Sequence, residues 1–282
     1  EIASCLVGSE MCIRDRDYNM KHRGDVYATH GLGPVAQALD IHRGDRMKTL
    51  VAMDTKSVVG KALVEERTGA GCDNFRNGDH TTTLIRTENG KVIEIQHNVM
   101  TPQPYNRLYQ LTGTKGFANK YPVEGYALDA KQLTASGMEP KVDDLSSHSF
   151  LPKDEMNALV EKYQHPILKK YGEMAKEVGG HGGMDFIMDS RLVYCLQNGL
   201  PLDMDVYDLA EWCCLAELGE LSMDNGCASV AFPDFTRGEW NKIKGYKHAY
   251  ATPEEEAAIM EKAKAFTQKL KEKGAEEWVE DK

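Results

Sequence analysis

Tyr27 and His30 stand three residues apart in the string Tyr27-Ala28-Thr29-His30-Gly31-Leu32-Gly33-Pro34. A phenol and an imidazole are side chains whose proton affinities can be tuned for acid–base work. Val35, Ala36, Ala38, Leu39 and Ile41 follow at helical spacing, and Pro34 suits a first-turn position, which puts His30 at or just before a helix N-terminus. A helix N-terminus favours the neutral imidazole, the form able to accept a proton. By position alone, a cap or a core hydrogen-bonder is the competing reading of His30. Tyr105 and Tyr109, after Pro102-Gln103-Pro104, read on their own as strand aromatics packed on a sheet face. His181, followed by Gly182 and Gly183, either approaches a site or marks tight backbone packing at a helix start. His97, within a β-rich run, and Arg46, Arg107 and Arg237 read as structural residues. No metal is expected, because the histidines occur singly and no Cys/His cluster has ligand spacing. Asp203-x-Asp205 with Asp208 lacks the rest of a calcium loop and opens a predicted helix, where acidic residues complement the dipole.

The elements that must position these residues follow from pattern. Met47–Thr55 reads as a strand and 58–67 as a helix. Thr81–Thr87 and 91–97 are β-rich runs joined at Asn89-Gly90, a strong hairpin signal. Residues 108–111 and 117–121, around Gly113-Thr114-Lys115-Gly116, predict a second hairpin, and 122–150 read as an irregular excursion. Helices are expected over 154–163, 166–177, 185–197 and 206–223, with Asn198-Gly199-Leu200-Pro201 as a stop. The fold class is therefore α+β, a mainly antiparallel open sheet with helices on one face. The charged stretch 251–282 is expected to carry a surface helix.

Composition narrows the partners. A formal charge of -10 argues against a nucleic-acid or anionic-membrane surface, which needs clustered Lys and Arg. No run approaches the roughly 18–20 apolar residues of a membrane helix. The seven cysteines lack CxxC spacing and read as reduced core thiols. Among 44 acidic residues nothing singles out the carboxylate pair of an ordinary glycosidase.

The string Leu6-Val7-Gly8-Ser9-Glu10-Met11-Cys12-Ile13-Arg14-Asp15-Arg16 looks like the translation of a transposase adapter used for sequencing libraries. Residues 1–16 are accordingly set aside as an artefact, with one domain expected over 17–250. A dinucleotide-binding unit needs a buried strand feeding a Gly-rich turn and a helix. Neither Gly31-Leu32-Gly33 nor Gly179-Gly180-His181-Gly182-Gly183 follows such a strand, so the chain as given carries no Rossmann fingerprint. An export signal, and with it a periplasmic location, would lie upstream of Asp17.

The helix–strand–helix order and the hairpin around Gly113-Thr114-Lys115-Gly116 resemble the second domain of the Gfo/Idh/MocA oxidoreductases. Tyr27 to Pro34, Ile41-His42-Arg43-Gly44-Asp45-Arg46, Gln96-His97-Asn98-Val99, His181-Gly182-Gly183-Met184-Asp185-Phe186 and Pro233-Asp234-Phe235-Thr236-Arg237-Gly238 narrow this to a resemblance to glycoside hydrolase family 109. The resemblance implies an α-N-acetylgalactosaminidase with NAD as a recycled cofactor. Its cycle oxidises the sugar at C3, eliminates the C1 leaving group after loss of the C2 proton, adds water and reduces the ketone. It also implies that Tyr27, Ala28, Thr29 and His30 form a substrate-binding segment, with His30 and Tyr27 at the C3 hydroxyl and Tyr27 near the nicotinamide. Tyr109, with Tyr105 as a weaker choice, becomes the second substrate tyrosine. The partners implied are N-acetylgalactosamine-terminated glycans and a second copy of the chain, docked through the sheet. The resemblance further implies an N-terminal Rossmann domain that is missing here, and without it the fragment is expected to be inactive alone. Two alternatives stay open: an NAD(P)-dependent sugar oxidoreductase of the same superfamily, and a noncatalytic dimerisation module.

Overall fold

The computed structural model describes residues 10–69, 71–98, 100–135, 137, 149–178 and 181–245, together with 265, 268, 269 and 272. It divides into two compact units. One takes the described residues up to Gln103 and then those from Asp203 to 245; the other is built on Pro104–Leu202. The first contains α1 (Glu10–Lys21), α2 (Thr29–Ala38), β1 (Met47–Asp54), α3 (Val59–Thr68), β2 (Thr81–Thr87) and β3 (Val92–His97). The second holds β4 (Tyr109–Thr112), β5 (Gly116–Lys120), β6 (Gly125–Leu128), α4 (Ala130–Ala135), α5 (Lys153–Tyr163), α6 (Pro166–Val178) and α7 (Met184–Gln197). The chain then returns to the first unit as α8 (Val206–Asp224) and β7 (Val230–Ala231).

The first unit is an antiparallel sheet in the order β3-β2-β1-β7 with α2 and α8 packed against it. Period-two alternation assigns the faces. Leu50 pairs with Ile85 and Ile85 with Ile93, while Ala52 pairs with Thr83 and Thr83 with Ile95, and all are buried. This inner face meets Leu32 and Ala36 of α2 and Trp212, Leu215 and Met223 of α8 in one core. On the opposite face Val51 lies across from Leu84 and Met53 from Thr82, with Leu84 and Met53 exposed. The expected open α+β sheet is therefore present. α8 begins on a reciprocal cap: the Asp205 carboxylate accepts the Tyr207 and Asp208 N–H groups, and Asp208 accepts that of Asp205. The second unit contains a smaller antiparallel sheet, β4-β5-β6.

Three expectations need correction. Pro34 lies inside α2 and not in its first turn. The helix starts early because the Ala28 carbonyl accepts the Gly31 and Leu32 N–H groups while Ala28 and Leu32 sink into the core. The excursion over 122–150 contains a strand, since β6 pairs along β5 and its Tyr126 carbonyl accepts the Leu151 N–H. Only four residues long and flanked by turn formers, β6 carries too little periodicity to read. Cys213 is exposed, unlike the buried Cys72 and Cys195, and is therefore not a core thiol. α1 runs across the boundary drawn at Asp17. Of the charged C-terminal stretch, only Ala265, Gln268, Lys269 and Glu272 are described, all helical; the rest lies outside the described residues. No helix among the described residues is long and apolar enough to cross a membrane.

Candidate functional site

The segment before Tyr27 is clamped to the first unit. Arg23 donates from Nε to Asp54 Oδ2 at 3.0 Å and from Nη2 to Asp54 Oδ1 at 2.6 Å. A third donor reaches Asp224 at 3.2 Å, and His22 Nδ1 lies 2.9 Å from Glu220 Oε2. Gly24 has φ 109° and a Cβ there would meet Met223 Cε at 2.8 Å, so this turn requires glycine. Its N–H donates to Asn77 Oδ1 at 2.9 Å, and the Tyr27 N–H donates to Asp25 Oδ1 at 3.1 Å.

This anchored turn delivers the predicted string. Ala28 is buried and Thr29 opens α2 half-buried, while Tyr27 and His30 point to solvent, Tyr27 with 58% of its surface exposed. Their spacing of three brings the rings together on one side of the chain. The rings stack at 4.4 Å and 20°, with Tyr27 Oη 3.5 Å from His30 Nε2. A phenol and an imidazole at this separation can bind one hydroxyl between them and relay its proton. Gly33 lets α2 approach α8, for a Cβ there would meet the Trp212 ring at 3.3 Å.

The buried Asp25 interacts with the half-buried His97. Burial pushes the Asp25 carboxyl up, against the His97 charge and the Tyr27 N–H. Burial holds the His97 imidazole down, against the Asp25 charge. His97, expected to be structural, thus ends β3 beside the carboxylate that carries the Tyr27 backbone. Sequence reasoning missed Asp25; its signal was an Asp two residues before the tyrosine it caps.

Tyr105 and Tyr109 belong to the second unit, so the pair formed by Tyr27 and His30 is the one constellation of predicted site residues brought together within a unit. Tyr105 is exposed, with the Arg107 guanidinium 5.5 Å from its ring centre. Tyr109 opens β4 opposite Lys120, half-buried, and burial pushes its phenol up. His181 is exposed with Nδ1 2.9 Å from Asp185 Oδ2. Gly183 serves tight packing, since a Cβ would lie 2.6 Å from the Ala175 backbone.

The string Ile41 to Arg46 forms a buried polar knot that the sequence left unassigned. Arg43 grips both oxygens of Asp208 at 2.9 Å. His42, at φ 44°, places Nδ1 3.1 Å from Glu211 Oε2. Burial pulls its imidazole down, but the Glu211 hydrogen bond and the Glu211 and Asp208 charges outweigh this and hold it above the usual range. Asp45 accepts the Thr87 hydroxyl at 2.8 Å and the Asn89 N–H at 3.0 Å, tying the knot to the hairpin turn.

Comparison with known proteins places this chain in context. The family model described as glycosyl hydrolase 109, C-terminal domain, matches residues 9–242. The chain is 87% identical over 265 residues to glycosyl hydrolase family 109 protein 5 of Phocaeicola vulgatus, covering 94% of this chain and 51% of that protein. It is 85% identical over 263 residues to family 109 protein 4 of the same species, covering 93% and 51%. It is 63% identical over 235 residues to family 109 protein 1 of Bacteroides thetaiotaomicron, covering 83% and 50%. The chain spans about half the length of the curated relatives it matches.

Proposed function

Because this chain belongs to glycosyl hydrolase family 109, we propose that, in a protein of its relatives' full length, it forms the substrate half of an NAD-dependent α-N-acetylgalactosaminidase. The observation that supports this is the exposed Tyr27–His30 pair on its clamped turn. His30 Nε2 accepts the proton of the sugar's C3 hydroxyl when that carbon is oxidised and returns it on reduction. Tyr27 Oη hydrogen-bonds the same hydroxyl and shares its proton with His30. Ala28 and Thr29 hold the segment against the core.

NAD supplies the hydride acceptor and donor of such a cycle when bound. The described residues offer little for its pyrophosphate at the helix starts where anions commonly bind. At α3, the amides of Val58, Val59 and Gly60 already donate to the Asp79 carboxylate, and the α8 amides donate to Asp205. Tyr27 is proposed only as a neighbour of the nicotinamide. Tyr109 and Tyr105 are proposed as further substrate contacts, N-acetylgalactosamine-terminated glycans as the substrate, and the sheet face bearing Met53 and Leu84 as the dimer surface.

The test is an aryl α-N-acetylgalactosaminide offered with NAD to a protein of the relatives' full length that carries this chain. Free sugar at constant NADH is the expected result, whereas net NADH accumulation identifies a sugar dehydrogenase instead. The 282-residue chain alone is expected to release no leaving group.

A further inference from the structure

His42 poses a problem that the rest of the knot does not solve. Its side chain is only 4% exposed, and Nε2 has no hydrogen-bond partner. That atom nonetheless points at two carboxylate oxygens, Asp205 Oδ1 at 3.3 Å and Asp208 Oδ1 at 3.5 Å. On the other side of the ring, Nδ1 lies 3.1 Å from the Glu211 carboxylate, which orients the imidazole so that Nε2 faces the two acids. A buried polar atom without a partner is costly, by about 1–3 kcal/mol.

We propose that His42, Asp205 and Asp208 form a binding site for a zinc-class divalent cation that ties the 40–46 loop to the start of α8. The three donor atoms lie within 4.8 Å of one another. A tetrahedral zinc with bonds of about 2.0–2.1 Å separates its ligands by roughly 3.3–3.4 Å, close to the two nitrogen–oxygen distances found here. One imidazole and two carboxylates suit zinc and its first-row neighbours, whereas calcium and magnesium favour all-oxygen sites. Glu211 on Nδ1 supplies the carboxylate–histidine support usual behind a metal-bound imidazole. Arg43 holds Asp208 from behind in the same way. Three carboxylates against one guanidinium leave negative charge for a divalent ion to neutralise. Asp205 is 45% exposed, which gives the ion an entry and leaves room for water as a fourth ligand.

The site was hidden in the sequence because its histidine lies more than 160 positions from its acids. The competing occupant of Nε2 is a proton, which would make the cluster a buried ion-pair network and nothing more.

Calorimetric titration of the metal-free 282-residue chain with zinc, and separately with calcium, distinguishes the two. One zinc per chain, with no calcium binding and with tetrahedral absorption bands on cobalt substitution, is the expected result. Asp205→Asn should weaken zinc binding at least about tenfold while the helix stays capped, because Asn caps as well as Asp. Glu211→Gln should weaken it about 10–100-fold. Absence of saturable zinc binding overturns the site, as does zinc binding that Asp205→Asn leaves unchanged.

Discussion

His30 and His42 sit in the same unit, and their surroundings are opposites. His30 is exposed and stacked on a tyrosine. His42 is buried among Glu211, Asp208 and Asp205, with Arg43 beside it. One imidazole is open to a molecule as large as a sugar; the other is reachable only by an ion. The exposed pair depends on a rigid support that it does not itself provide. Arg23–Asp54, Asp25 and Asn77 hold the turn, while the knot around His42 locks the following loop to α8. Chemistry and architecture are thus divided between the two histidines, and the division can be tested by mutation.

The largest effect is expected at the buried end. Arg43→Met leaves the Asp208 carboxylate buried without its partner, and breaking such a pair typically costs about 3–5 kcal/mol. Denaturant unfolding should show a loss of that order; a loss under about 1 kcal/mol would mean that the knot is not a clamp. A smaller loss, about 2 kcal/mol, is expected for Asp79→Ala, which removes the acceptor of three α3 amides. Those bonds hold the Asp79 carboxyl below its ordinary value against the burial that raises it. Its contribution is therefore complete above about pH 3.9 and fades as pH falls through the depressed folded value. Melting curves below pH 4 should show wild type and Asp79→Ala converging.

His97 gives a subtler pH effect. Its folded imidazole is held down by burial, so the unfolded chain takes the proton first, and stability should begin to fall as pH drops below about 6.5. Asp25, held up by burial, acts in the opposite sense at lower pH, where its protonation favours the folded state. His97→Asn should flatten the decline that starts near pH 6.5, and an unchanged pH profile would separate His97 from the support of the turn. The smallest change is expected at the exposed end, where Tyr27→Phe and His30→Ala should each shift stability by no more than about 0.5 kcal/mol. A larger loss would make the pair structural.

The sequence reveals what is local and hides what is distant. The β2–β3 hairpin was legible because two β-rich runs flank Asn89-Gly90, a turn signal whose strands need only find each other locally. Tyr27 and His30 were singled out by the family resemblance, since position alone left His30 as readily a cap; the spacing of three became informative only once α2 was seen to start at Thr29. Pro34 misled, since burial of Ala28 and Leu32 pulled the helix start ahead of it. Arg43–Asp208 and Arg23–Asp54 were not legible at all, because nothing local announces which acid a distant arginine will meet. Tyr105 and Tyr109 entered only through the family resemblance.

The central claim is that His30 carries the proton of the sugar hydroxyl. Its most direct test is His30→Ala in a protein of the relatives' full length that carries this chain, assayed for release of the leaving group from an aryl α-N-acetylgalactosaminide, with a melting curve on the same preparation. The account predicts a rate lowered about 10²–10⁴-fold at an unchanged melting temperature. A rate within about twofold of wild type, far smaller than general acid–base catalysis contributes, would contradict it.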